Sequence, residues 1–386
     1  MSEKRPLSLY LHFPFCVRKC RYCDFLSFPA GQKERQEYVD LLCREIRHRG
    51  PEFAAYEVRT VFFGGGTPSL LEPGQLGFIM QALQESFLLA GDAEISLECN
   101  PGTADKEKLA AYRALGINRL SIGLQSADDR ELALLGRIHT ADQFRQVMQA
   151  AGEAGFDNIN IDLMSAIPGQ TIESFQKNLE KVLEWRPAHL SVYSLIIEEG
   201  TPFWQIYGED AETDEKTDGM PPLPDEEEER EMVHLTEKML TQAGYVHYEV
   251  SNYALPGREC RHNLVYWRRG EYLGLGLGAA SLIGDLRWRN TSDPSAYRQD
   301  CCAREECERL SRKAQMEETM FLGLRCLDGI SMHDFEERFG CSTDSVYGEV
   351  ISRYTGLGLL KKEDDRIMLT GKGMDVSNLI LVDFLL

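Results

Sequence analysis

The sequence predicts an α/β protein: a wound parallel sheet of repeated βα units, followed by a small α+β domain with a winged-helix-like order of elements. Two observations carry the first part. Short β-branched or apolar runs recur at residues 7–13, 60–63, 94–99, 119–125, 158–164 and 189–195. Between them, residues 33–48, 74–89, 106–115, 142–153 and 172–185 carry apolar positions at helical spacing. A third observation carries the second part. Beyond residue 311 the texture changes to helical patterns at 313–326, 332–339 and 343–355, then strand-like pieces at 359–361 and 367–369 around a turn.

Parallel strands need crossover connections, and helices between successive strands supply them. Such units wind either into an open sheet or toward a barrel, and periodicity does not choose between the two. In both, the C-terminal strand ends carry the chemistry. Residues 198–229 hold 13 acidic side chains and one basic one, Lys216, with several prolines. A solvated loop leading into a helix at 225–243 is expected there, with a lid over a substrate as the alternative. The expected divisions are 1–197 for the βα array, 198–230 for the acidic loop, 231–310 for a segment completing the array, and 311–386 for the last domain.

Composition narrows the function classes. The 386 residues include 43% hydrophobic and 27% charged side chains and a formal net charge of −20. A nucleic-acid binder carries the opposite sign. The C-terminal domain, with 13 acidic and 9 basic residues, is likewise no DNA-reading face. No run approaches the roughly 18 apolar residues of a membrane helix, and no basic amphipathic helix is evident, so any membrane contact is expected to be peripheral. Eleven irregularly spaced cysteines argue for free thiols plus a metal site in a reducing cytoplasm. Cys301, Cys302 and Cys307 fit no ligand spacing and read as free thiols.

The strongest motif is Cys16-Val-Arg-Lys-Cys20-Arg-Tyr-Cys23, directly after the first strand. Three thiolates on one loop can converge on an iron–sulfur cubane and leave one iron open. Structural zinc wants four protein ligands, and no second paired motif occurs.

CxxxCxxC after the first strand of a repeated βα array resembles the signature of the radical S-adenosylmethionine (SAM) superfamily. That resemblance implies a partial (β/α)6 barrel, a 4Fe–4S cluster on Cys16, Cys20 and Cys23, SAM on the open iron, and an electron donor for the cluster. Gly64-Gly65-Gly66-Thr67-Pro68 resembles the family's glycine motif. Glu98, Gln125 and Asp162 sit at or near strand ends, and the Arg137 guanidinium suits the SAM carboxylate.

Finer wording resembles the oxygen-independent coproporphyrinogen III oxidase group and its sister family, the HemW heme chaperones. It lies in Tyr10–Cys16, Cys23-Asp24-Phe25, Gly123-Leu124-Gln125-Ser126, and Asn160–Leu163 with Pro168–Thr171. The resemblance implies SAM contacts at Tyr10, Tyr22, Gly65, Gly66, Thr67, Glu98, Gln125, Arg137 and Asp162, with Ile196 and Ala280 as looser matches. Two departures point away from the oxidases. Phe25 stands where their motif carries a further cysteine, and only six residues precede Leu7 where they have a longer extension. His262-Asn-Leu-Val-Tyr266-Trp267 matches the HNxxYW motif of the HemW family. An imidazole can ligate heme iron, and Tyr266 and Trp267 can stack on a porphyrin. Cys260, two residues earlier, is an auxiliary candidate. The expected function is heme binding and transfer to an acceptor protein. The alternatives are porphyrinogen decarboxylation and heme modification, in which case the chain is an oxidoreductase acting on a porphyrinogen or heme.

Overall fold

The computed structural model describes residues 4–209 and 219–386. Five of the 13 acidic residues of the 198–230 loop lie outside these, and so does Lys216.

Six parallel strands, β1 (Arg5–Phe13), β2 (Tyr56–Gly65), β3 (Leu89–Cys99), β4 (Arg119–Gln125), β5 (Ile159–Ser165) and β6 (His189–Ser194), lie side by side in chain order. The helices α1 (Gln32–Arg49), α2 (Pro73–Ser86), α3 (Lys106–Ala114), α4 (Asp129–Leu135), α5 (Ala141–Glu153) and α6 (Ile172–Glu184) fill the connections. After α7 (Trp204–Tyr207) and α8 (Glu226–Gln242), the chain returns to both edges of the sheet. The strands β7 (Val246–Glu249) and β8 (Asn252–Ala254) extend it beyond β6. Following α9 (Arg261–Trp267), β9 (Tyr272–Leu275) pairs parallel to β1. The antiparallel strands β10 (Ala280–Ile283), β11 (Leu286–Asn290) and, past α10 (Pro294–Gln299), β12 (Arg304–Arg309) continue outward.

Strand alternation decides the two faces. Leu7, Leu9, Leu11 and Phe13 of β1 bury against the helical layer in one core with Val39, Leu42 and Ile46 of α1. The intervening positions face inward and are largely polar. Tyr10, Phe62, Glu98, Ser121, Asn160, Asp162, His189 and Ser191, drawn from all six strands, line one chamber. A flat sheet cannot bring β1 and β6 to one chamber, so the sheet curls, and the fold is the partial barrel. Ile161 and Leu163 are fully buried on the opposite face, while Asp162 looks into the polar lumen.

Two boundaries also differ from the periodic reading. Residue 89 opens β3 instead of ending the second helix, residues 90–93 extend that strand, and α4 is too short to show a helical period. The C-terminal unit comprises α11 (Arg312–Gly323), β13 (Ile330–Ser331), α12 (Met332–Phe339), α13 (Thr343–Gly356), β14 (Leu360–Glu363), β15 (Arg366–Leu369), α14 (Gly371–Asp375) and α15 (Ser377–Val382). Its sheet order is β13-β15-β14, and it packs around its own core of Phe335, Phe339, Tyr347, Ile367 and Phe384.

Candidate functional site

The C-terminal strand ends surround a cavity of about 300 Å³. Cys16, Cys20, Cys23, Tyr22, Gly65, Gly66, Thr67, Glu98, Gln125, Arg137 and Asp162 all line it. Tyr10 instead lines a lower chamber of about 220 Å³, which shares Glu98, Ser121 and Asp162 with the upper one. Ile196 stands 66% exposed just past β6, and Ala280 lies on β10 of the antiparallel extension; neither lines either cavity.

Close approach explains two of the glycines. A Cβ on Gly66 would lie 2.6 Å from the Phe15 carbonyl oxygen and 2.8 Å from that of Phe13. Only glycine therefore lets β2's end dock on the start of the cysteine loop, where Gly66 N donates to Phe13 O (2.8 Å) and Thr67 N to Phe15 O (2.8 Å). Gly65 has φ of +108°, and a Cβ there would strike the His12 ring at 2.4 Å.

Arg137 owes its place to α4. Asp128 caps that helix by accepting from Arg130 N (2.7 Å), and Gly136, left-handed with φ of 76°, ends it. The next residue is thereby turned into the cavity. Arg137 Nη2 donates to Gly123 O (2.5 Å) and Asn100 Oδ1 (3.1 Å), and Nη1 to Cys20 Sγ (3.7 Å). Among the described residues its buried Nε has no partner. Burial opposes the guanidinium's charge, but Tyr22 and Cys20 beside it more than reverse that, and its pKa rises.

Glu98 and Asp162 are paired buried carboxylates. Burial, then the charge of Asp162, pushes Glu98 from an ordinary 4.5 up to about 8, against the pull of the Gly65 N–H it accepts at 3.1 Å. Burial also raises Asp162, although Asn160 Nδ2 (2.7 Å) and Ser121 Oγ (3.2 Å) donate to it. Two such groups, each short of a counter-charge, suit a cationic or hydroxyl-rich ligand.

The cluster's fit rests on the donor set. Three thiols line one cavity, Thr67 Oγ1 donates to Cys16 Sγ (3.4 Å), and Arg137 reaches Cys20. Donors aimed at sulfur favour thiolates. Among the described residues no three His, Cys, Asp or Glu side chains form a ready site for a single metal ion. Three thiols at one cavity supply ligands for three irons of a cubane and leave the fourth open, whereas a structural zinc takes four protein ligands.

The HNxxYW segment is α9, at the opposite end of the lumen. Glu94 accepts from the Arg261 and His262 amides (3.1 Å each), placing a carboxylate at the helix's positive end. His262 is 1% exposed. Its Nδ1 pairs with Thr60 Oγ1 (2.7 Å) and its Nε2 with Tyr266 OH (2.8 Å), while its ring stacks on Phe62 at 5.1 Å. Burial lowers its pKa to about 3, so the ring is neutral. Both imidazole nitrogens are engaged, and this arrangement leaves neither free for heme iron. Trp267 turns away from the lumen and lies under Arg325 (5.6 Å). Cys260 is buried with its thiol 3.7 Å from Glu94 Oε1.

Several site residues escaped the sequence reading. Asn100 holds Arg137 and donates to Thr67 Oγ1 (2.9 Å). Tyr193 OH donates to Gln125 Oε1 (2.8 Å), fixing a residue whose φ of 70° is strained for a non-glycine. Ser121, His12 and His139 complete the walls or their support. For His12, Ser121 and Tyr193 the signal was the polar–apolar alternation within each strand, which marks a lumen-facing set; Asn100 and His139 lie beyond the strand ends, where no such pattern runs.

Known proteins fit this arrangement. The model of the radical SAM superfamily matches residues 10–182, and that of the HemN C-terminal domain matches 310–376. The heme chaperone HemW of Lactococcus lactis is 36% identical over 385 residues, covering 99% of this chain and 98% of its own. HemW of Escherichia coli is 40% identical over 305 residues, 78% of this chain and 77% of its own. The crystal structure of E. coli coproporphyrinogen III oxidase, a radical SAM enzyme, superposes with a TM-score of 0.85 at 29% identity, over 99% of this chain and 90% of that one. With its curled sheet built on six βα units, its cysteine loop at the strand ends and its end-to-end likeness to these relatives, the chain belongs to the HemW family of the radical SAM superfamily.

Proposed function

We propose that the protein binds heme and passes it to an acceptor protein, with a 4Fe–4S cluster on Cys16, Cys20 and Cys23 and SAM in the upper cavity. The observation that carries the reading is the 36% identity to a heme chaperone over 99% of the chain. Phe25 supports it. This residue is 60% exposed at the cavity mouth, and it supplies apolar surface where the oxidase motif has a thiol.

When bound, the cluster and SAM supply one-electron chemistry at the strand ends. The chain's own residues hold and orient. Gly65 and Gly66 let a ligand approach the backbone, Arg137 offers a fixed guanidinium to a carboxylate, and Glu98 and Asp162 offer buried acceptors to an ammonium or ribose. A bound cation would draw the Glu98 proton off, so ligand entry and proton release are coupled there.

Titration of heme into the full chain, followed by absorbance and then by transfer to an apo-heme protein, tests the reading. Saturable binding and transfer are expected; neither occurring would sink it. The close superposition on coproporphyrinogen III oxidase favours a second reading, porphyrinogen decarboxylation. Decarboxylated product formed with SAM and a reductant would select that one.

A further inference from the structure

The cysteine loop also presents an amphiphilic surface at the mouth of the upper cavity. Val17 and Phe25 of this loop are 57% and 60% exposed, and Ile138, following α4, is 54% exposed. All three line the mouth of the upper cavity. Exposed apolar side chains gathered at a cavity mouth mark a binding surface. Beside them, Arg18, Lys19 and Arg21 line an open depression of about 450 Å³ over the end of α4. Arg18 Nη2 donates to Gly136 O (2.7 Å) and Arg21 Nη1 to Leu134 O (3.4 Å), so main-chain carbonyls brace both guanidinium groups. The loop sets these three cations against one carboxylate, Asp24, in a chain whose formal net charge is −20. That local reversal of sign attracts an anion.

A flat apolar body carrying two carboxylates matches this surface, and heme has that chemistry. The lower chamber does not offer an equivalent. At about 220 Å³ it falls below the roughly 300–1,000 Å³ of typical ligand pockets, and both nitrogens of His262 are engaged. Building on the heme-binding reading, we propose that heme lies across the mouth of the upper cavity. Its macrocycle rests against Val17, Phe25 and Ile138, and its propionates are held by Arg18, Lys19 and Arg21.

The test compares heme with heme dimethyl ester, titrated into the full chain and into an Arg18→Gln/Lys19→Gln/Arg21→Gln variant checked by circular dichroism and iron content. The parent is expected to prefer the diacid by on the order of tenfold or more, the worth of one charge-assisted hydrogen bond. In the variant the diacid should weaken to the level of the ester, with ester affinity unchanged. Added salt should weaken diacid binding to the parent and leave the ester alone, a readout that does not depend on the variant folding. Equal affinities of the parent for both ligands, or a preference that survives in the variant, would place the propionates elsewhere and overturn the inference. Unchanged heme binding with slower cluster reduction by an acidic one-electron carrier would make this a redox docking face and overturn it too. No saturable binding of either ligand by the parent would instead remove the chaperone reading itself.

Discussion

Single atoms decide how the upper cavity works. Glu98 keeps its proton to about 8 in the folded chain, against 4.5 for an unburied glutamate. Between those values the folded state holds a proton that the unfolded state has released, so this group's contribution to stability falls as pH rises. Replacing Glu98 with Gln removes the titration. The ligand-free variant is expected to gain thermal stability over the parent at about pH 8 and not at about pH 4.5. A melting-temperature difference that stays constant with pH would refute this. Gly123 offers a second residue-scale test. A Cβ there would lie 2.7 Å from Arg137 Nη2, so Gly123→Ala must push the guanidinium out of place. SAM affinity is expected to fall on the order of tenfold or more, as for loss of one charge-assisted contact. Equal affinity by equilibrium dialysis would show that Arg137 does not meet SAM.

Elements are joined by buried polar clusters as well as by packing. Glu45 of α1 is fully buried and accepts from Gly276 N (2.8 Å), Asn290 Nδ2 (2.7 Å) and Tyr297 OH (2.7 Å). It thereby ties the β9–β12 extension to the barrel's helical layer. Glu45→Ala strands three buried donors, each worth roughly 1–3 kcal/mol when left unpaired. A large drop in the denaturation midpoint is expected, and a loss under about 1 kcal/mol would show that water or repacking replaces the carboxylate. Sequence reading had no access to this cluster, because its members lie more than 230 residues apart.

Across the whole molecule, the C-terminal unit is fastened to the barrel by charge and by main chain. Glu318 of α11 accepts from Arg269 Nε (2.9 Å), whose side chain is 0% exposed, and from Arg287 Nη2 (2.5 Å). Val250 N donates to Arg325 O (3.1 Å) and Leu327 N to Tyr248 O (3.1 Å) across the same junction. Glu318→Gln leaves the Arg269 charge uncompensated in the interior, a loss of about 3–5 kcal/mol for a buried pair. Calorimetry is expected to show the C-terminal unit melting ahead of the barrel in this variant. One unchanged transition would mean that the main-chain contacts alone hold the junction. Because α9 sits beside this junction and also closes the lumen, the barrel floor and the C-terminal unit share one support.

What the sequence determined by itself was local. Six βα units, the cysteine triplet after β1, and the glycine run after β2 were legible, because each depends on spacing within a few residues. The family resemblance added the residues from Tyr22 to Asp162 that the structure gathers around one cavity. Tertiary structure alone decided the rest. Curling of the sheet put Tyr10 in a lower chamber and brought Glu98 within electrostatic reach of Asp162. The fold also buried His262 with both ring nitrogens engaged, and it carried Ala280 out to the antiparallel extension beyond β9. The physical reason is that a strand's alternation tells which residues share a face, while only closure of the sheet tells which faces meet.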